Sequence, residues 1–196
     1  MTPWMDKQEI DLIKKYISPN DIMLEWGSGG STVTFSPLVK KYFSIEHVED
    51  WFTNVDLELN KLNLKDKVDN VLKIPDLPRT IPTKYKEFNS YIECVDGFNT
   101  KFDKVLIDGR GRQFCAAYIL RFLNPNSIIF IHDFWARPPY HKVFNWYEEV
   151  ESIKNTAQTI VALKPKPNSV GLALSKEQII NQTLNTTIPT SGLFNF

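Results

Sequence analysis

The 196-residue chain is 42% hydrophobic with 8 glycines and 12 prolines, a globular composition long enough for one α/β domain and too short for two ordinary ones. Lys+Arg and Asp+Glu balance at 23 each, so no overall field recruits nucleic acid or an anionic membrane, and nucleic acid is excluded as a main partner. Cys94 and Cys115 stand far apart in no metal-ligand spacing and read as reduced, buried thiols. No apolar signal core follows Met1 and no apolar run reaches membrane-spanning length, so a cytoplasmic protein without a membrane span is expected.

Thr2-Pro3 has the form of a helix start, and Ile10, Ile13 and Ile17 recur at helical spacing behind it. Ser18-Pro19-Asn20-Asp21 stops that helix and feeds a first strand, Ile22 to Glu25. A turn, Gly27-Ser28-Gly29-Gly30, leads to Ser31-Thr32 and a helix from Thr32 to Lys41, shortened or bent by Pro37. Lys41 to Glu46 is a second strand. His47 to Lys61 reads as a second helix of this unit, with Trp51, Phe52, Val55 and Leu59 toward the core. Val68 to Ile74 is a weak third strand, and Pro75 to Asn89 a long proline-bearing loop of the kind that forms lids.

Tyr91 to Val95 reads as helix. Lys104 to Ile107 is a fourth strand, continuously apolar as befits burial on both faces. Gly111 to Leu123 is helical, Asn124-Pro125-Asn126 a turn, and Ser127 to Ile131 a fifth strand followed by His132-Asp133-Phe134. A helix is predicted over Lys142 to Val150, then an antiparallel hairpin of Thr159 to Leu163 and Ser169 to Leu174. This order predicts an α/β, Rossmann-like doubly wound sheet of about seven strands, mostly parallel with a C-terminal antiparallel hairpin. Residues 1–181 form its single domain, and 182–196 are a C-terminal extension of unassigned role.

In such sheets ligands bind beyond the carboxyl ends of the strands. Those ends here carry Glu25, Glu46, Asp108 and His132-Asp133. The glycine turn resembles the first two glycines of a dinucleotide fingerprint, with Thr32 at the third position and Glu46 placed to accept ribose hydroxyls. Glu25 argues against a dinucleotide, because a carboxylate beside the turn repels a pyrophosphate and attracts an ammonium and a sulfonium. That charge pattern describes S-adenosylmethionine.

Glu25-x-Gly27-x-Gly29 with Glu46 after the second strand resembles the class I S-adenosylmethionine-dependent methyltransferases. Leu24 to Thr32, Ser44-Ile45-Glu46, Trp51, Val105 to Arg110 with Arg112, His132-Asp133-Phe134 and Arg137-Pro138-x-Tyr140 resemble a small family linked to sugar and polysaccharide O-methylation. The resemblance covers roughly residues 20 to 150 and implies a cofactor set of Glu25, Gly27, Ser28, Gly29, Gly30, Ser31, Thr32, Glu46, His47 and Asp108. His47 or Trp51 would flank the adenine. Relatives often show two adjacent acids where this chain has His132-Asp133.

Methyl transfer to a hydroxyl needs an aimed acceptor and a place for its proton. Asp108, His132 and Asp133 fit two mechanisms. One of them is a general base, or all three hold a divalent cation, Mg or Mn, in a way similar to catechol-type O-methyltransferases. Arg110, Trp135, Tyr140 and His141 are candidates for acceptor contact, Arg110 and Arg112 alternatively forming surface ion pairs. The leading expectation is an S-adenosylmethionine-dependent O-methyltransferase acting on a sugar or glycan hydroxyl. A metal-dependent enzyme for a small catechol-like acceptor, an NAD-dependent oxidoreductase and a non-catalytic nucleotide-binding module are the alternatives. A small-molecule or glycan acceptor is the expected partner, and a homodimer is allowed.

Overall fold

The computed structural model describes residues 1–155 and 158–184. Its centre is a seven-stranded sheet in the order β3-β2-β1-β4-β5-β7-β6. The strands are β1 (Ile22–Trp26), β2 (Lys41–Glu46), β3 (Val68–Leu72), β4 (Phe102–Ile107), β5 (Leu123–His132), β6 (Tyr147–Ile153) and β7 (Ile160–Pro165). β1 to β5 run parallel, and β7 and β6 are antiparallel to their neighbours. The helices are α1 (Lys7–Tyr16), α2 (Gly30–Phe35), α3 (Glu49–Lys61), α4 (Asn89–Ile92), α5 (Arg112–Tyr118) and α6 (Lys176–Leu184). None of them, among the described residues, is long and apolar enough to cross a membrane.

Side chains on a strand alternate between faces, so each strand feeds two cores. Leu24, Trp26, Ile107 and Ile131 pack on one face with Phe114 and Leu120, whereas Met23, Leu106 and Phe130 pack on the other with Ile13, Phe35, Val55 and Leu59. Double coverage explains the continuously apolar strands, since both faces of β4 and β5 are dry. It also places every parallel strand's carboxyl end on one edge of the layer, where the cleft opens.

Several predicted elements are corrected. The first helix starts at Lys7 rather than Thr2, because the Glu9 carboxylate accepts the Asp6 amide at 2.8 Å and fixes the first turn there. Helix α2 stops at Phe35 and passes into a 3-10 turn at Ser36–Leu38, where Pro37 cannot supply a helical N–H. The segment predicted as a helix over 142–150 is a 3-10 stretch, Pro138–Asn145, followed by strand β6. Its glutamates favour a helix locally, but pairing with β7 overrides that preference. The terminal hairpin is therefore β6–β7, and the run 169–174 is not a strand. Pro165 and Pro167 end β7, and Gly171, at φ +73°, breaks the extended course.

β6 lies at the sheet edge, and a register shift interrupts its pairing between Glu149 and Glu151. Residues 176–184, for which the sequence predicts no element and which the expected domain boundary at 181/182 divides, form α6, which packs Ile179 into the core. The remainder of the predicted extension, 185–196, lies outside the described residues.

Candidate active site

A cleft of about 400 Å³ opens at the carboxyl ends of β1, β2, β4 and β5. Gly27, Ser28, Gly29, Gly30, Ser31, Glu46, His47, Trp51, Asp108, Arg110, Arg112, His132 and Asp133 all line it. The fold thus gathers most of the residues singled out in the sequence, from four separate strand ends, around one space.

The turn after β1 owes its shape to Gly27, whose φ is +98°. A Cβ there would lie 2.7 Å from the Gly109 amide nitrogen, so the turns after β1 and β4 can meet only across a glycine. At Gly30 a Cβ would collide with the Thr2 carbonyl group at 2.1 Å. The first residues of the chain lie directly across the turn, and Thr2 and Trp4 line the cleft. Trp4 also packs against Trp51, with ring centroids 5.7 Å apart, and the Trp51 indole donates to the Ser28 carbonyl. These N-terminal contributions carry no sequence signal, because the contact depends on how α1 is laid against the sheet.

Glu25 is placed differently from its expected position facing a ligand. It is fully buried, as is Thr32, and neither lines the cleft. Its carboxylate accepts the hydroxyls of Ser31 and Thr32, and those of Tyr42 at 3.1 Å and Ser44 at 3.3 Å. Burial pushes its pKa up to about 8, although these hydroxyls pull the other way. Glu25 therefore braces the turn from beneath and acts on the cleft through Ser31, which touches both.

Glu46, also buried, is the counterpart that lines the cleft. Its Oε1 accepts the amides of His47 and Val48, each at 2.8 Å, and no donor among the described residues reaches Oε2. His47 Nδ1 lies 2.9 Å from the same Oε1 in a geometry that makes no hydrogen bond, so this buried nitrogen is unpartnered. A free carboxylate oxygen, an unpaired ring nitrogen and an open glycine turn are what a nucleoside with ribose hydroxyls and a polar base needs. The residues present fit S-adenosylmethionine.

The opposite wall is a network of charges. Asp108 Oδ1 takes His132 Nδ1 at 2.9 Å and the Arg112 guanidinium at 3.1 Å. The other ring nitrogen of His132 faces the Glu9 carboxylate at 3.3 Å, on the buried side of α1. Burial opposes a charge on His132, but the hydrogen bond and charge of Asp108 and the charge of Glu9 outweigh it, raising the pKa above its ordinary value. Held between two carboxylates, His132 has both ring nitrogens engaged, so a role as general base would require it to give up one of these contacts.

Arg112, 6% exposed, was readable only as a candidate surface ion pair. It instead ties the two strand ends together: Nε donates to the Gly109 carbonyl, one terminal nitrogen to the His132 carbonyl, and the other to the Asp108 carbonyl. The same guanidinium bridges Asp108 and Asp133 Oδ2, the latter at 3.2 Å, and Arg137 reaches that Oδ2 at 3.3 Å. Asp133 adopts φ +55°, a left-handed conformation that aims its side chain back at Arg112.

A divalent cation does not fit this arrangement. One ligand atom from each of Asp108, His132 and Asp133 lies within 4.8 Å of the others, the spacing expected for a metal. Yet Arg112 already supplies the positive charge between the two aspartates, and both His132 nitrogens are directed at carboxylates.

Among the remaining candidates, Arg110 lines the cleft with its guanidinium unpaired among the described residues. Tyr140 stands behind, its ring centroid 5.7 Å from the Arg112 guanidinium and 6.0 Å from that of Arg137. Trp135 and His141 do not line the cleft. They pack in an aromatic cluster with Phe134 and Phe144, and Lys154 covers the Trp135 ring at 3.7 Å. Burial lowers the His141 pKa.

No protein-family model matches the sequence, and no curated protein matches it. Solved structures do resemble it. A methyltransferase-like protein from Silicibacter pomeroyi superimposes with a TM-score of 0.67 at 21% identity, covering 92% of this chain and 96% of that one. A Streptococcus mutans protein described as a methyltransferase, in complex with SAH, gives a TM-score of 0.59 at 14% identity over 83% of this chain and 100% of the other. An rRNA methylase from Streptococcus thermophilus gives 0.59 at 14% identity over 82% and 98%. At these identities the likeness establishes the fold, the Rossmann-like sheet of class I methyltransferases, and nothing about the acceptor.

Proposed function

We propose that the chain is an S-adenosylmethionine-dependent O-methyltransferase whose acceptor is a sugar or glycan hydroxyl. The observation that carries the reading is the position of Asp108. Its carboxylate shares one cleft with the glycine turn and Glu46, is oriented by Arg112 and His132, and leaves Oδ2 without a donor among the described residues.

Bound S-adenosylmethionine would supply a methyl group on a positively charged sulfur. Gly27 to Ser31 would hold its methionine part, and Glu46 Oε2 its ribose hydroxyls, with His47 at the base. Asp108 Oδ2 takes the proton that the acceptor hydroxyl loses as its oxygen gains the methyl group. The hydroxyl becomes strongly acidic as the new carbon–oxygen bond forms, so a well-aimed carboxylate suffices to take its proton. Arg112 and His132 hold Asp108 in place, Glu9 fixes the His132 ring, and Asp133 anchors Arg112 from the other side.

Calorimetric titration with S-adenosylhomocysteine and with NAD, followed by a screen of methyl transfer onto sugars, glycans and RNA, tests the proposal. Saturable binding of S-adenosylhomocysteine and labelled methyl in a sugar are expected. NAD binding with no response to S-adenosylhomocysteine would overturn the cofactor assignment, and label appearing only in RNA would replace the acceptor.

A further inference from the structure

The chain is neutral overall, yet its guanidinium groups crowd one side of the cleft. Many surface lysines have a carboxylate beside them, as in Lys15–Glu151 at 2.6 Å and Lys41–Asp69 at 2.8 Å. Arg110 and Arg79 do not: neither side chain has an ion pair or hydrogen bond among the described residues. Arg110 lines the cleft two residues beyond Asp108, and Arg137 lines it from the opposite turn. Arg79 comes from the loop between β3 and α4. Burial and then repulsion from Arg79, Arg112 and Arg137, with Arg79 the strongest of the three, lower the Arg110 pKa. Arg110, Arg112 and Arg137 therefore line one cleft with Asp108 and Asp133, both of which Arg112 already engages, and Arg79 lies near enough to repel Arg110.

Collecting like charges around one cleft costs free energy unless an anion completes the set, even where, as here, Arg79, Arg110 and Arg137 are exposed. Arginine suits that role, because its planar donor fork matches a carboxylate or phosphate. Resting on the methyl-transfer reading, we infer that Arg110 and Arg137, which line the cleft, form an anion subsite with Arg79 at its outer side, so that the acceptor is a small hydroxylated molecule carrying a phosphate or carboxylate next to the hydroxyl that is methylated. The converging geometry favours a small acceptor over RNA. A strand of RNA needs a track of cations along a surface, whereas Arg110, Arg112 and Arg137 line a single cleft of about 400 Å³.

The anion could belong to the acceptor or be the cofactor's own carboxylate, and the experiment separates these. Wild type, Arg79→Gln, Arg110→Gln and the double variant are titrated with S-adenosylhomocysteine, then, when loaded with it, with glucose 6-phosphate, glucuronate, glucose and a short RNA. At least one of the two anionic sugars should bind roughly ten-fold more tightly than glucose to wild type. That preference should fall to within about three-fold in the double variant and weaken between ~50 mM and ~300 mM salt. S-adenosylhomocysteine affinity should stay within about two-fold in all four proteins.

Equal binding of all three sugars, or a preference unchanged in the double variant, would overturn the subsite. So would a roughly ten-fold loss of S-adenosylhomocysteine affinity in either single variant, which would give these arginines to the cofactor. Tighter binding of the RNA than of glucose 6-phosphate would overturn the small acceptor. If wild type ignores S-adenosylhomocysteine but keeps the anion preference, the methyl-transfer reading fails while the subsite stands.

Discussion

The two halves of the cleft are built on different principles. The half at the ends of β1 and β2 is made largely of backbone: a glycine turn, two amides on Glu46 Oε1, and a buried carboxylate beneath. The half at the ends of β4 and β5 is made of charged side chains that meet from distant points of the chain, Glu9, Asp108, Arg112, His132, Asp133 and Arg137. A backbone cradle has one way to be right and tolerates a common ligand. A charge network can be rewired residue by residue, which is where an acceptor preference can change without disturbing the cradle.

If that division holds, Asp108→Asn should give the largest effect, a loss of turnover of ~10²–10⁴-fold with S-adenosylhomocysteine affinity unchanged within a few-fold. Radiolabelled methyl transfer and calorimetry on the same preparation check it, and unchanged turnover would remove Asp108 from the chemistry. Next comes Glu25. Its pKa is raised above the unfolded value to about 8, so the folded state holds this proton more tightly. The associated stability is complete below the unfolded pKa of about 4.5 and is lost as pH rises toward 8, by up to ~5 kcal/mol. Glu25→Gln should flatten that part of the pH–stability curve in denaturant melts, and parallel curves for the two proteins would contradict it.

Arg112→Met should cost about 3 kcal/mol, because two carboxylates lose their shared cation. The melting temperature should then fall by roughly 6–12 °C, with turnover lost alongside. Glu46→Ala touches the other half: S-adenosylhomocysteine binding should weaken by about 10–100-fold, a charged hydrogen-bond acceptor's worth, and the unliganded protein should melt a few degrees lower because the His47 and Val48 amides lose their acceptor. The smallest expected effect is none at all. Exhaustive chelation should leave turnover intact, since Arg112 stands where a cation would sit, and activity restored only by Mg or Mn would break that assignment.

The same division sets what could be read in advance. The glycine turn, Glu46 and the strand ends were legible because contiguous residues make them and the sheet's period fixes where they point. Glu9 was not legible as a partner of His132, 123 positions away, and its Asp6-x-x-Glu9 spacing is already explained by the helix start. Arg112 gave no hint of burial, because an arginine is buried only when its partners are, and those belong to other strands. The hairpin was misplaced for a related reason. Glu148 and Glu149 read as helix until β7 is there to pair with them.

Those glutamates have a further effect at the outer edge of β6. An open strand edge offers free backbone groups to any other strand, including that of a second molecule. The kink between Glu149 and Glu151, and three acids in four residues (Glu148, Glu149 and Glu151) that are paired with Lys164, Lys154 and Lys15, make this edge a poor template for its own likeness. A second molecule would find this border hard to extend, and β3 bounds the sheet on its opposite side.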